Sequence, residues 1–144
     1  MNLGLSMLWF WIAYFIVTIV GILQTVFNWK ILKYETPSVG EFKPSQVPAY
    51  IKTIPFHVLY NMVLFPIFAY IYLKQANPAS IWNEALVIAI SWTAITILFD
   101  LFGWVLIKHP WNMTFKEMYI DYQPWITLIY LAIFVSPFAA AWII

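Results

Sequence analysis

Four apolar stretches alternate with polar intervals along the chain, each near the roughly 20 residues that cross a hydrocarbon core of about 30 Å. The first runs from about Leu3 to Trp29, and no charged residue precedes Lys30. It is too long for a signal-peptide core and lacks the basic start and small-residue cleavage site of one, so a retained helix is expected. The second runs from about Ile54 to Leu73. Pro55 falls in its first turn, where a missing N–H is harmless, and Pro66 is expected to kink it. The third, from about Glu84 to Ile107, carries Asp100, and the fourth, from about Pro124 to Ile144, contains Pro137. Short connections favour neighbouring antiparallel helices. The pattern therefore predicts an all-α integral membrane protein: one transmembrane domain over 1–144, four helices in an antiparallel bundle, with helices about 3–29, 54–73, 84–107 and 124–144.

The two longer intervals differ in character. Loop 30–53 holds Pro37, Pro44 and Pro48, a spacing that forbids a long helix and suggests an extended lid or strap. Loop 108–123 contains "TFKEMYIDY", in which Thr114 and Glu117 have capping-box spacing. Trp111, Phe115, Met118, Tyr119 and Tyr122 recur at helical intervals, as a short interfacial helix before the fourth span would require. An aromatic anchor with no further role is the plainer account of that face.

Composition agrees with the pattern: 64% of residues are hydrophobic and 9% charged, against roughly 45–50% and about 25% in globular chains. A net charge of +1 provides no field for nucleic acid, so no nucleic-acid partner is expected. The absence of cysteine removes disulfides, thiolate nucleophiles and cysteine metal sites. All seven basic residues are lysine, a bias that suits an AT-rich genome and leaves no bidentate fork for phosphate. Lys30, Lys33, Lys43, Lys52, Lys108 and Lys116 lie in the two longer loops and only Lys74 in the other, so those loops are expected inside and both termini outside. A bacterial cytoplasmic membrane is the expected location.

That topology sets the depth of the few polar side chains in the spans. At 1.5 Å per residue, Asp100 lies roughly 12 Å in from Lys108 and Asn61 roughly 13 Å in from Lys52. His57 precedes Asn61 by one turn on the same face. Gln24, Thr127 and Tyr130 fall in the same half of the bilayer, and Thr93, Thr96 and Asp100 form one stripe on the third helix. Acids inside a bilayer cost about 2.5–3.5 kcal/mol at a helix centre and usually face protein or water. Asp100 is thus expected to point inward, toward Asn61 or Gln24. The expected ligand-binding set is Asp100, Asn61, His57, Gln24, Thr96 and Tyr130.

Each residue also has a plainer account. Asp100 with Asn61 could be an interhelical hydrogen bond alone, His57 an interfacial histidine, and His109 a cation suited to a helix C-terminus. Glu84, about 160° around the helix from Asp100, reads as a solvated helix-start residue. Ala132, Ser136 and Ala140 form a small-residue packing row. Two histidines without fixed spacing make no metal motif, and neither metal nor cofactor is expected. The leading expectation is a small polytopic membrane protein with an inner-leaflet polar pocket, binding a small hydrophobic or lipid-like ligand or serving as an accessory subunit. The alternatives are a small oligomeric transporter or channel and an intramembrane enzyme using His57 and Asp100. Expected partners are the bilayer, a lipid-like ligand, and a second copy or a membrane partner subunit.

Overall fold

The computed structural model describes residues 1–34, 47–109 and 112–144. All elements among them are helical. Helix α1 (Leu3–Lys30) starts at Asn2, whose Oδ1 accepts from the Leu5 amide at 3.1 Å, and Lys30 in its last turn complements the helix dipole. A short helix, α2 (Pro48–Ile51), opens with proline at its first position, where no amide is needed. Helix α3 (Ile54–Ala76) ends where Asn77 turns left-handed at φ 39°, a conformation asparagine tolerates. Helix α4 (Ile81–Phe99) is capped by Ser80 and continues as a π-helical segment, Asp100–Leu106. Helix α5 (Trp125–Ile143) contains Pro137.

Four runs, Leu3–Lys30, Ile54–Ala76, Ile81–Leu106 and Trp125–Ile143, are long and apolar enough to cross a bilayer. The chain is a multi-pass membrane protein by that measure. Large apolar side chains such as Leu23, Met62 and Ile90 are exposed, as a lipid-facing surface requires. The capping box also forms: the Glu117 amide donates to Thr114 Oγ1 at 3.2 Å, and the Thr114 amide donates to Glu117 Oε2 at 2.7 Å. It opens a helical turn that becomes π-helical over Glu117–Asp121.

Helix α3 packs against α1 and α5, and α4 packs against α5. Small residues permit this: Ala69, Ala85, Ala89, Ser136 and Ala140 are buried, so backbones approach closely. Helices α1 and α4 instead meet through long side chains. Trp92 Nε1 donates to Ser6 Oγ at 3.0 Å, Phe10 lies 6.0 Å from the Trp92 ring, and Trp11 meets Phe99 edge-on at 5.0 Å. This aromatic seam is solid at one end of the molecule and hollow at the other.

Two expectations are corrected here. The third span begins at Ile81, because Ser80 supplies the cap, so Glu84 lies inside the first turn. Glu84 is not solvated: it is 8% exposed, accepts from the Tyr72 hydroxyl, and has the Met1 ammonium 3.3 Å from Oε2. Burial of that carboxylate is compensated by a cation and a phenol. The lid or strap reading of loop 30–53, with Pro37, Lys43 and Pro44, falls on residues 35–46, and Trp111 follows Pro110. These lie outside the described residues.

Candidate functional site

The hollow end is a cavity of about 420 Å³ bounded by α1, α2, α3, the Asp100 segment, residues 113–122 and α5. Apolar wall comes from Val17, Phe65, Met118, Ile126, Ile129 and Ile133. Polar groups come from a few points: Tyr14, Tyr50, His57, Asn61, Thr96, Asp100 and Tyr122.

Asp100 is 6% exposed and stands where α4 changes from α- to π-helical geometry. Its carboxylate accepts on both oxygens, from Tyr14 at 2.7 Å and from Tyr130 at 3.0 Å. Trp104 Nε1 donates to the Tyr14 hydroxyl at 3.3 Å, which orients that phenol. The acid is therefore tied to α1 and α5. The expected partners Asn61 and Gln24 do not bond it. The Asn61 amide donates back to the His57 carbonyl at 2.7 Å, one turn away on its own helix. Gln24 donates to Asn28 at 3.0 Å and accepts from Tyr60 at 3.1 Å, and it does not line the cavity. A short amide side chain can return to the carbonyl one turn back on its own helix, which accepts it beside the backbone bond.

His57 faces the cavity from α3, with Nδ1 2.6 Å from the Tyr122 hydroxyl. Its other nitrogen rests against Gly21: a Cβ there would sit 2.9 Å from Nε2. The imidazole thus occupies space that only a glycine on α1 leaves. Burial, then the neighbouring Tyr50, then Asp100, push the Tyr122 hydroxyl well above the usual phenol range, and burial also raises Tyr50. Both phenols are neutral hydrogen-bonding groups at physiological pH.

Adjoining the cavity at Thr25 and Ala49 is a polar staple that sequence reading missed. Asn28, 2% exposed, donates from Nδ2 to the Ala49 carbonyl and to Thr53 Oγ1, both at 3.0 Å, and Thr25 donates to Thr53 at 3.1 Å. It clamps α2 onto α1.

Of the expected ligand-binding residues, Asp100, His57, Asn61 and Thr96 line the cavity. Tyr130 is behind Asp100, and Gln24 is on an adjoining network. Thr96 returns its hydroxyl to the Trp92 carbonyl at 2.8 Å. Tyr14, Trp104, Tyr122 and Gly21 are part of the site and were not anticipated. Tyr14 is one ring among many in "WFWIAYF", so only its contact with Asp100 distinguishes it. His109 approaches the Gly103 carbonyl at 2.9 Å, and among the described residues no group of three histidines or acids is placed to hold a metal.

No family model, curated relative or solved structure matches the chain. The chemistry of the site therefore carries the functional argument.

Proposed function

We propose that this protein binds a small hydrophobic or lipid-like ligand in the cavity between α1, α3, α4 and α5. The observation that carries this reading is the cavity itself: about 420 Å³, apolar over most of its wall, with Asp100, His57 and Asn61 at its polar points. Binding sites are typically concavities of about 300–1,000 Å³ with a few convergent polar groups. Conduction by one chain has less support. At the other end of the seam Phe10 and Tyr72 are almost fully buried around the Trp92 ring, and a transport path needs a lining throughout.

The antiparallel arrangement rests on paired contacts. Trp9 near the start of α1 donates to Gln75 near the end of α3 at 2.9 Å, and Tyr60 near the start of α3 reaches Gln24 late in α1. With the lysine asymmetry, the cavity opens toward the cytoplasmic leaflet of a bacterial membrane, with residues 115–121 in the interface. Cysteines introduced singly at Asn112 and Asn77 test this. Asn77→Cys should react with an impermeant thiol reagent in intact cells and Asn112→Cys should not; the reverse pattern overturns the orientation.

The His57–Tyr122 pair supports a second reading, an intramembrane enzyme with His57 as general base or acid. Native mass spectrometry of the protein released from nanodiscs addresses both. A co-purifying hydrophobic molecule, lost in Val17→Trp and retained in the lipid-facing control Leu131→Trp, is the expected result. A chemically altered product favours the enzyme, and equal occupancy in all three proteins rejects the cavity as the site.

A further inference from the structure

Resting on the binding reading, we infer that the ligand is a cationic amphiphile: an aliphatic chain ending in a primary or quaternary ammonium, with Asp100 as counter-ion. Asp100 is the one carboxylate lining the cavity, and no lysine lines it among the described residues. Its two hydrogen-bond donors are phenols, which stabilise a carboxylate without neutralising it. A carboxylate offers about four lone-pair sites, so two bonded phenols leave acceptor capacity directed at a ligand.

The chain shows how it treats a buried acid elsewhere. Glu84 has the Met1 ammonium 3.3 Å away. Asp100 has no ion pair within the described residues, and an unpaired buried charge is costly until something answers it. His57 does not serve, because Nδ1 is engaged by Tyr122 and Nε2 lies against Gly21.

The walls beside the acid are aromatic. Tyr14, Tyr50, Trp104 and Tyr122 all line the cavity. Ring faces attract cations, and aromatic cages are a recurrent solution for quaternary ammonium groups. An anionic headgroup would meet one carboxylate, four electron-rich rings and no lysine. Val17, Ile129 and Ile133 supply the apolar wall for the chain.

Three photoreactive probes with the same dodecyl chain test this in phosphatidylcholine nanodiscs: dodecyltrimethylammonium, dodecanol and dodecyl sulfate. Labelling of Val17 and Ile129 is read by peptide mass spectrometry and normalised to lipid-facing Leu131, which cancels bilayer partitioning. The ammonium probe should label the cavity at concentrations at least about tenfold lower than the alcohol, the equivalent of about 1.4 kcal/mol. Sulfate labelling of the cavity should be weakest. Asp100→Asn should abolish the preference for ammonium over alcohol. Trp104→Leu, which keeps the acid and both phenols but removes a ring face and the donor to the Tyr14 hydroxyl, should weaken ammonium labelling more than alcohol labelling. Equal cavity labelling by alcohol and ammonium, insensitive to Asp100→Asn, overturns the cation and leaves the hydrophobic pocket standing. Labelling by all three probes at Leu131 only overturns both.

Discussion

Glu84 and Asp100 share one helical run, and both are buried, yet the structure answers them differently. Glu84 meets an ammonium and a phenol, and behind that phenol the rings of Tyr72, Trp92 and Phe10 are almost fully buried in mutual contact. Asp100 meets two phenols and a cavity. The α1–α4 seam bridges both ends with aromatic rings, so ring content alone does not decide which end is hollow. At the Glu84 end the indole of Trp92 spans the gap to Ser6. At the Asp100 end α4 turns π-helical and the gap remains, with the His57 imidazole seated against Gly21 on its α1 side. π-Helical segments recur at functional sites because they redirect side chains that a regular helix would stack. One acid is paired with a cation within the chain, and the other lines a cavity with phenols as its partners.

The largest effect should come from opening the closed end. Trp92→Ala removes a fully buried indole and leaves Ser6 without its donor, and aromatic-to-alanine changes in cores cost about 3–5 kcal/mol. We expect about 3 kcal/mol in reversible SDS unfolding, because lipid tails solvate an exposed ring nearly as well as protein does. Ile129→Ala, on the cavity wall, should cost about 1 kcal/mol, since its side chain already lacks neighbours on one side. Equal costs at the two sites would mean that the cavity is filled by packing in solution and that the contrast between the ends is not real.

Next comes the acid. Asp100→Leu strands the hydroxyls of Tyr14 and Tyr130, at roughly 1–3 kcal/mol per unsatisfied group. Two neighbouring phenols relax together, so about 2 kcal/mol in total is expected, with additivity failing as it does for groups sharing a partner. Asp100→Asn keeps an acceptor for one phenol and presents a donor to the other, and should cost less than about 1 kcal/mol. If Tyr14→Phe and Tyr130→Phe abolish the cost of Asp100→Leu, the assignment of partners holds; if Asn61→Leu does so instead, the sequence-level pairing was right.

The sequence carried the spans because composition and period state them directly. The Thr114–Glu117 box is local hydrogen-bond chemistry and equally legible, whereas the caps at Asn2 and Ser80 went unread and the third span was started three residues late. Depth arithmetic brought Asn61 and Asp100 to one level, with His57 one turn away on its helix and Thr96 in the stripe of Asp100, and all four line one cavity. It could not say which groups bond, because rotation about each helix axis decides that. Asn61 satisfies itself within its own turn, while Tyr14, hidden among rings, takes the acid. Glu84 was misjudged for a related reason: a boundary position permits solvation, but the Tyr72 hydroxyl and the Met1 ammonium offer a better partner set. The π-helical segment has no sequence period of its own. The staple of Asn28 with Thr53 joins residues far apart in the chain through contacts that only the folded form creates.

The smallest effect contrasts two glycines on α1. Gly4 lies at the Glu84 end, where an added Cβ would meet only Asn2 Oδ1 at 3.9 Å, an ordinary contact. Alanine there should be neutral or stabilising by up to about 1 kcal/mol, since glycine is the poorer helix former. Gly21 sits at the Asp100 end, where the same methyl would come within 2.9 Å of His57 Nε2 and 3.4 Å of Cδ2. The ring must swing, and its 2.6 Å contact with Tyr122 is what yields. Helix propensity and steric cost oppose each other, so a net loss of about 1 kcal/mol is expected for Gly21→Ala, at the low end of overpacking costs. The decisive measurement is the cycle with His57→Ala. In that background Gly21→Ala should lose its cost and recover the propensity gain, giving a coupling energy of about 1–2 kcal/mol between two residues on different helices. A Gly21→Ala penalty that persists without the imidazole would place its origin in the backbone of α1. The glycine would then have no part in making room for His57 at the cavity.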